Sequence, residues 1–343
     1  MNPKLVAIAK AAGVPLGFVA ATVILFGYLL PFDAIKIRVE AGYNANPANV
    51  RAGKTLRIEE LSSWWRLGAK ATNVSLITGG NIKSATVLDV VRVRPELLSL
   101  LLFRSSASVN IDAFGGSITG SASREANDFH FEDVDLSLIG AVKEGACGIP
   151  MTGKVSGDVT LAMPGGAMDK ANGAVHLVIT GLSLSDGKTA GKCAGPPATT
   201  VPTLPKMTIG TLNVDADIKD GKLKWTKLAA TGSDISLKGE GNLTFRPKLE
   251  DSTLDTLLTF KFADALVARD ESTKALFDSR IGVLWMMSPD IKKARQEDGS
   301  VMFKLGGNFA RPSFSPAGTP AAAPVLARPR MVPEPDDDKD DAP

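Results

Sequence analysis

Short runs that alternate between apolar and polar side chains recur from Leu56 to Phe309, and they restrict this chain to a mainly β fold. The clearest run is Leu212–Leu228, in which apolar side chains occupy every second position on both sides of a turn. Asp220-Gly221 lies between the two halves, and this dipeptide favours a two-residue type I′ turn that joins antiparallel strands. The sequence therefore predicts a β-hairpin here and further short strands along the chain.

The geometry of that turn fixes which residues of the hairpin face each other, because the loop leaves only two residues unpaired. Leu223 is then predicted opposite Ile218. Trp225 is predicted opposite Ala216, where a large ring over a small methyl group makes a favourable cross-strand pair. One face of this hairpin is apolar, whereas the other carries charged and polar side chains.

A second hairpin is indicated near residue 115. We expect Gly115-Gly116 to form its two-residue loop, which places Ile118 opposite Ala113 on the face that also carries Ile111. Ser300–Phe309 is predicted as the last strand. Together these runs predict one apolar sheet face, which includes Ile111, Ile118, Val214, Ile218, Leu223, Trp225, Val301 and Phe303.

Two binding modes follow from a sheet of this kind. Its apolar face is either closed by the chain's own helices or open to an apolar ligand such as an acyl chain. An exposed strand edge offers the other mode, in which a partner adds a strand to the sheet. The alternation alone does not choose between a closed and an open face.

Residues 11–32 contain no charged side chain, and these 22 residues would form about 33 Å of helix, enough to cross a bilayer core of about 30 Å. The run ends without the small-residue cleavage site of a signal peptide. We therefore interpret it as a retained signal anchor, and the alternative is one buried helix of a soluble protein. We expect an inner-membrane protein. The short N-terminal tail, together with two cysteines that would pair in an oxidising compartment, favours a cytoplasmic N-terminus and a periplasmic C-terminal domain.

The predicted organisation has four parts. Residues 1–10 form a cytoplasmic tail, 11–32 the transmembrane anchor and 33–316 a periplasmic, mostly β domain. Residues 317–343 are rich in Pro and Ala and then in acidic side chains, and we expect them to be disordered. The predicted fold is an elongated, twisted antiparallel sheet, groove-like or half-barrel-like, with a few short helices and the one N-terminal transmembrane helix.

Three helical segments and one loop are predicted within the β domain. Phe32 to about Val50 is expected to be a helix or a helix-to-loop passage beside the membrane. Glu96–Phe103 follows a proline, which is favourable at a first helical position, and it is apolar nearly all round. It is expected to be a core or end-cap helix, or else a plug or membrane-facing element. Asp264–Lys293 is predicted as an interrupted helix, and Gly191–Pro205 as an exposed loop or a linker between subdomains.

Cys147 and Cys193 are the two cysteines of the chain, and their separation excludes a CxxC redox or zinc motif. In an oxidising compartment they would most simply form one disulfide bond. The alternative is a pair of buried reduced thiols. A bond would tie the loop that begins at Gly191 to the loop that precedes Met151.

The sequence contains no motif with the spacing of a catalytic or metal site, such as GxSxG, HExxH, a P-loop or CxxC. Gly239-Glu240-Gly241 lacks the third glycine of a dinucleotide fingerprint, and we interpret it as a turn or bulge between strands. His130 and His176 lie in strand patterns and are interpreted as strand-surface residues. The formal net charge of +2 gives no argument for nucleic-acid binding. We therefore expect neither an enzyme nor a cofactor.

A series of short motifs follows the anchor. In chain order they are Leu56-Arg57-Ile58 with Leu61, Trp64, Gly68, Asn73-Val74, Pro95 with Leu97-Leu98, Gly115–Gly120, Gly153–Gly157, Ala294-Arg295, Asp298-Gly299-Ser300, and Leu305-Gly306-Gly307 to Arg311-Pro312. Over most of residues 1–316, this order resembles the type II secretion system protein N family, in the form with a large exported β domain. The same layout also resembles AsmA-like proteins and bridge-type lipid-transport families, which share an anchor followed by a β groove.

The resemblance implies a non-catalytic inner-membrane subunit of a type II secretion system, which acts in assembly or as a scaffold through contacts in the periplasm. The implied partners are other subunits of that machine: the inner-membrane platform, the pseudopilus or the secretin. The AsmA-like alternative implies a lipid-binding or lipid-transport protein of the cell envelope, with phospholipid as its ligand. No site residue of either family is carried over to this chain.

Overall fold

The structure is a computed structural model, and it describes residues 30–51, 53–64, 68–78, 85–96, 106–193, 199–201, 203–277, 294–309 and 311–317. The fold is mainly β and consists of one large antiparallel sheet of fourteen strands with a few short helices. The prediction of a mainly β, antiparallel fold is therefore confirmed.

The strands account for most of the described residues. They are β1 (Lys54–Trp64), β2 (Gly68–Thr78), β3 (Thr86–Pro95), β4 (Ser106–Ala113), β5 (Gly116–Ser123), β6 (Ala126–Asp135), β7 (Met151–Ala162), β8 (Asn172–Leu184), β9 (Gly191–Cys193), β10 (Thr199–Val201), β11 (Met207–Lys219), β12 (Lys222–Thr231), β13 (Ile235–Thr244), β14 (Thr253–Phe262), β15 (Val301–Asn308) and β16 (Arg311–Pro316).

The large sheet is a meander. Its strands lie in the order β1 to β8 and then β11 to β16, and neighbouring strands are antiparallel. β9 and β10 form a separate two-stranded hairpin within the connection from β8 to β11. The interpretation of Gly191–Pro205 as a loop is therefore wrong for the residues of these two strands. Apart from β8, which pairs with β11, each strand of the large sheet pairs with the strand that follows it in sequence.

The helices are α1 (Phe32–Asn44), α2 (Pro47–Arg51), α3 (Gly140–Gly145), α4 (Asp264–Val267) and α5 (Glu271–Phe277). α1 and α2 confirm the helical segment predicted after the anchor, and α4 and α5 begin the interrupted helix predicted from Asp264. The rest of that helix, most of Glu96–Phe103 and the anchor up to residue 29 lie outside the described residues. In the part of the chain that the structure describes, no helix has the length and apolar character needed to cross a membrane.

The hairpin of β11 and β12 confirms the predicted register. Asp220 and Gly221 have φ angles of 47° and 71°, the positive values that both central residues of a type I′ turn require. Ile218 pairs with Leu223, and Ala216 pairs with Trp225. Beyond Trp225 the register shifts by one residue, which the sequence did not indicate.

The turn predicted for the hairpin of β4 and β5 is wrong by one residue, so the predicted pairing is wrong by two. Phe114 and Gly115, with φ angles of 54° and 69°, form the two-residue turn, so Ala113 pairs with Gly116 and Ile111 pairs with Ile118. Gly116 is a strand residue, not a turn residue. A Cβ atom at this position would lie 2.3 Å from the carbonyl oxygen of Glu132 in β6, so the glycine permits the close approach of the two strands.

Ser300–Phe309 is not the last strand, because β16 follows β15 and completes the sheet. Two prolines, Pro312 and Pro316, lie in β16 and made this segment unlike a strand in the sequence. Proline is tolerated at a sheet edge, where its missing N–H faces away from the neighbouring strand. β16 is such an edge strand, since it pairs only with β15.

Candidate functional site

One face of the large sheet carries the apolar side chains, and we call it the apolar face. In an antiparallel ladder, residues that pair across neighbouring strands point to the same side of the sheet. Following the pairs from strand to strand places all residues of the predicted face on this one side: Ile111, Ile118, Val214, Ile218, Leu223, Trp225, Val301 and Phe303.

A single row of paired residues crosses the apolar face from β1 to β12. Its apolar members are Leu61, Ala71, Val91, Ile111, Ile118, Phe131, Leu177, Val214 and Leu228. The predicted apolar face did not include its aromatic members in β6, Phe129 and Phe131. Their alternation with polar residues would have indicated that they share one face.

Burial differs between the two halves of the apolar face. Ile218, Leu223 and Val301 are only 3%, 5% and 1% exposed. The turn that contains Met163 and Ala171 packs on Ile218 and Leu223, and Leu266 of α4 packs on the opposite end of the neighbouring strands. By contrast, several apolar side chains of β4 to β8 on this face are partly exposed, namely those of Ile111, Ile118, Phe129, Phe131 and Leu177. The buried apolar residues Ala113 and Val134 lie towards the ends of their strands. The open part of the face is therefore its middle.

Trp225 joins β12 to β14 in the part of the apolar face where the side chains are buried. Its indole N–H donates a hydrogen bond to the hydroxyl oxygen of Thr256 in β14, at 3.0 Å, and Thr256 is only 1% exposed. Gly241 of β13 lies between them, and a Cβ there would come within 2.2 Å of the carbonyl oxygen of Asp255. The ring thus crosses a strand that lacks a side chain at the crossing point.

The edge at β1 is covered by side chains of α1. Asn44 accepts a hydrogen bond from the N–H of Leu56 at 2.7 Å and donates one to its carbonyl oxygen at 3.1 Å. Glu40 accepts from the N–H of Ile58 at 2.5 Å, and the Lys36 ammonium donates to the Glu59 carbonyl oxygen at 2.6 Å. These bonds occupy backbone groups that an added strand would need.

The edge at β16 is poor in donors. The N–H of Ala317 donates to the Met302 carbonyl oxygen in β15 at 2.9 Å, so alternate residues of β16 direct their backbone groups away from β15. These residues are Pro312, Phe314 and Pro316, and only Phe314 has an N–H. A partner strand would therefore find one donor along the length of β16, and strand addition is disfavoured at this edge as well.

The face opposite the apolar face carries both histidines of the chain. His130 and Asp158 lie in neighbouring strands with Nδ1 and Oδ1 2.7 Å apart, and the same atoms of His176 and Asp215 are 3.1 Å apart. The histidine side chains are 56% and 64% exposed, as expected for strand-surface residues. Among the described residues, no cluster of three His, Cys, Asp or Glu side chains could hold a metal ion.

A cavity of about 970 Å³ lies where β12 and β13 separate. Within the described residues, these strands pair at Lys224–Asn242 and again at Ala229–Lys238, but not at the positions between. Gly239-Glu240-Gly241 lies opposite this gap, in the middle of β13, so of its two interpretations the turn is wrong, whereas the bulge agrees with the register shift at this point of the ladder. Exposed lysines line the cavity together with Trp225 and Leu228; they are Lys219, Lys222, Lys224, Lys227 and Lys238. We call this site the lysine cavity.

Cys147 is disulfide-bonded, and Cys193 is the one other cysteine of the chain. The N–H of Lys192 donates to the carbonyl oxygen of Cys147 at 2.7 Å, so the segment after α3 and the start of β9 lie side by side. The bond therefore links the segment before Met151 to the connection between β8 and β11.

Comparison with family models, with curated proteins and with solved structures gives no match to this chain.

Proposed function

We propose that this protein is a non-catalytic, inner-membrane-anchored periplasmic component of a type II secretion system, acting in assembly or as a scaffold. The proposal rests on the ordered motifs of the sequence and on the kind of surface that the sheet offers. Its fourteen strands form an extended platform, and the partners that it would contact are the inner-membrane platform, the pseudopilus or the secretin.

The observation that carries the proposed mode of action is the difference between the faces and the edges of the sheet. Side chains of α1 occupy the backbone groups of β1, and prolines remove donors from β16. Strand addition is therefore the less favourable mode, and the partly exposed middle of the apolar face is the surface that we assign to binding. We propose that the sheet is twisted into an elongated groove lined by this face.

A second candidate function follows from the same surface. A row of apolar side chains that spans several strands, with one glycine in β7, matches the shape and polarity of an acyl chain, as in an AsmA-like lipid-binding or lipid-transport protein. The partly exposed residues of β4 to β8 favour this candidate, because a closed protein core would bury them.

Site-specific photocrosslinking in cells distinguishes the two candidates. A photoreactive amino acid at position 111 lies on the apolar face, whereas position 110, its neighbour in β4, points to the opposite face and is the matched control. The secretion proposal predicts adducts with a secretion subunit from position 111 but not from position 110, together with loss of exoprotein secretion in a deletion strain. Lipid adducts at position 111 with normal secretion would replace it by the second candidate.

A chain that gives neither kind of adduct, in a strain that secretes normally, would contradict both functions. A charge on the apolar face provides an independent check. Ile111→Lys should reduce the partner or lipid signal, and Asn110→Lys should leave it unchanged.

A further inference from the structure

The residues that line the lysine cavity carry a net positive charge. The lining residues include five lysines and two carboxylates, those of Asp217 and Glu240, so their formal net charge is +3. No described carboxylate oxygen lies within 4.0 Å of any of these ammonium groups. By contrast, Lys304 on the same face of β15 pairs with Asp255 at 3.0 Å. The charge and shape of the cavity therefore suit an anionic group.

The chain itself contains a segment of the complementary charge. Residues 334–341 carry six carboxylates and one lysine, and they are the densest run of acidic residues in the sequence. The lysines come from three adjacent strands and surround one cavity. Several ion pairs could therefore form together along a short acidic segment, although each exposed pair is individually weak.

The connection between this segment and the sheet has a suitable length. From the end of β16, the cavity lies between three and four strand spacings away, and Ala317 is in the same row of paired residues as Lys238, so the span to the cavity lysines is on the order of 15–25 Å. Seventeen residues lead from Ala317 to Glu334. That number of residues reaches at most about 60 Å when fully extended, so the connection is long enough to bring the acidic segment to the cavity.

We propose that the acidic segment 334–341 docks in the lysine cavity of its own chain. The occupied cavity presents a neutralised surface on the outer side of β12 and β13. An acidic segment of another protein binds there only by displacing the chain's own segment. Such a competitor must therefore carry more negative charge than segment 334–341 or be present at a higher local concentration.

Zero-length carbodiimide crosslinking of the full chain in detergent tests this proposal, because it joins carboxylates to lysine ammonium groups that are already in contact. At about 20 mM salt, peptides of segment 334–341 should be linked to the cavity lysines about tenfold more often than to Lys304 or Lys261. Those two lysines lie on strands nearer to β16, so a merely tethered segment would reach them first. A mixture of unlabelled and ¹⁵N-labelled chains separates links within one chain from links between chains.

Charge reversal supplies the matched control. The triple variant Lys222→Glu, Lys224→Glu, Lys227→Glu should lose these links, whereas Lys143→Glu, Lys154→Glu, Lys188→Glu, with the same change in net charge elsewhere, should keep them. If the first variant fails to fold by circular dichroism, raising salt to about 0.5 M on the native chain replaces it and should remove the links. Links that favour Lys304 and Lys261, that form between chains, or that persist in the cavity variant would overturn the proposal.

Discussion

The indole N–H of Trp225 reaches the hydroxyl oxygen of Thr256 at 3.0 Å, across a strand that has a glycine at the crossing point. β12 and β14 are thereby joined directly, at the place where the ladder between β12 and β13 is interrupted. The bond stabilises the sheet beside the lysine cavity, where backbone hydrogen bonds between β12 and β13 are missing.

Removing the indole N–H of Trp225 should show how much its hydrogen bond to Thr256 contributes to the free energy of unfolding. Trp225→Phe keeps an aromatic ring, and we expect the free energy of unfolding to fall by about 1–2 kcal/mol because buried Thr256 loses its partner. Trp225→Ala should cost about 3 kcal/mol, since a partly exposed ring leaves a smaller cavity than a fully buried one. Denaturant unfolding of each variant, repeated in a Thr256→Val background, isolates the pair. Equal losses in both backgrounds would show that the bond contributes nothing.

Gly241 should tolerate no side chain. Its φ angle of 143° and the 2.2 Å approach of the Asp255 carbonyl oxygen to an added Cβ require the backbone to move. We expect Gly241→Ala to lower the free energy of unfolding by about 2–3 kcal/mol. Gly42 of α1 is the control, because no atom lies within 4 Å of its added Cβ. Gly42→Ala should be neutral or raise stability by up to about 1 kcal/mol, through helix propensity.

The covered edge at β1 predicts a change in association state. The double variant Glu40→Ala, Asn44→Ala removes three of the hydrogen bonds that α1 makes to β1. We expect a loss of about 1–3 kcal/mol and the appearance of dimers or larger species in sedimentation velocity, because a free edge pairs with another chain. Arg38→Ala changes an exposed residue of the same helix and should remain like the native protein. A double variant that stays monodisperse would mean that α1 does not protect this edge.

The Asp234–Arg269 pair predicts a dependence of stability on pH. The carboxylate accepts hydrogen bonds from Arg269 Nη2 at 2.5 Å and from the N–H of Thr208 at 2.7 Å. Burial alone would raise the pKa of Asp234, but these bonds and the positive charge of Arg269 outweigh it and lower the pKa. The stabilisation is therefore fully present above the usual Asp pKa and is lost as pH falls through the lower, folded-state pKa.

Asp234→Asn should test that dependence. At neutral pH we expect it to lower the free energy of unfolding by about 2 kcal/mol. The difference from the native protein should shrink below about pH 4, as the native carboxylate takes up a proton. Urea unfolding between pH 2 and pH 7 measures it, with the exposed Asp169→Asn as control. A difference that stays constant over this range would contradict the assigned pKa direction.

The register of the β11–β12 hairpin was predictable because its turn chemistry is local. Asp220-Gly221 adopts the positive φ angles that this dipeptide favours, and the facing pairs follow by counting. The same counting failed at Gly115-Gly116. There the second glycine is required by contact with β6, and in a sequence a glycine needed for close approach is indistinguishable from a turn glycine.

Features that depend on distant strands were not predictable. β16 was not predicted because its two prolines are compatible with a strand only at the edge of a sheet. Whether a strand lies at an edge depends on its neighbours and cannot be inferred from its own residues. The lysine cavity requires β12 and β13 to separate, which is a property of the assembled sheet. The face on which each apolar residue lies was easier to predict. Successive side chains of a strand point to opposite faces, so alternation in the sequence identifies the residues that share a face.

The meander order has a consequence for how the sheet can grow. Apart from the excursion through β9 and β10, each strand pairs only with the strands just before and after it along the chain. A chain that is synthesised from its N-terminus would therefore find the preceding strand already available for each new strand to pair with, which keeps the pairings of the large sheet local in sequence. Duplicating or deleting one hairpin would change the width by about 10 Å and leave every other pairing in place. The width of the sheet can thus change by one hairpin at a time without altering the remaining strand pairs.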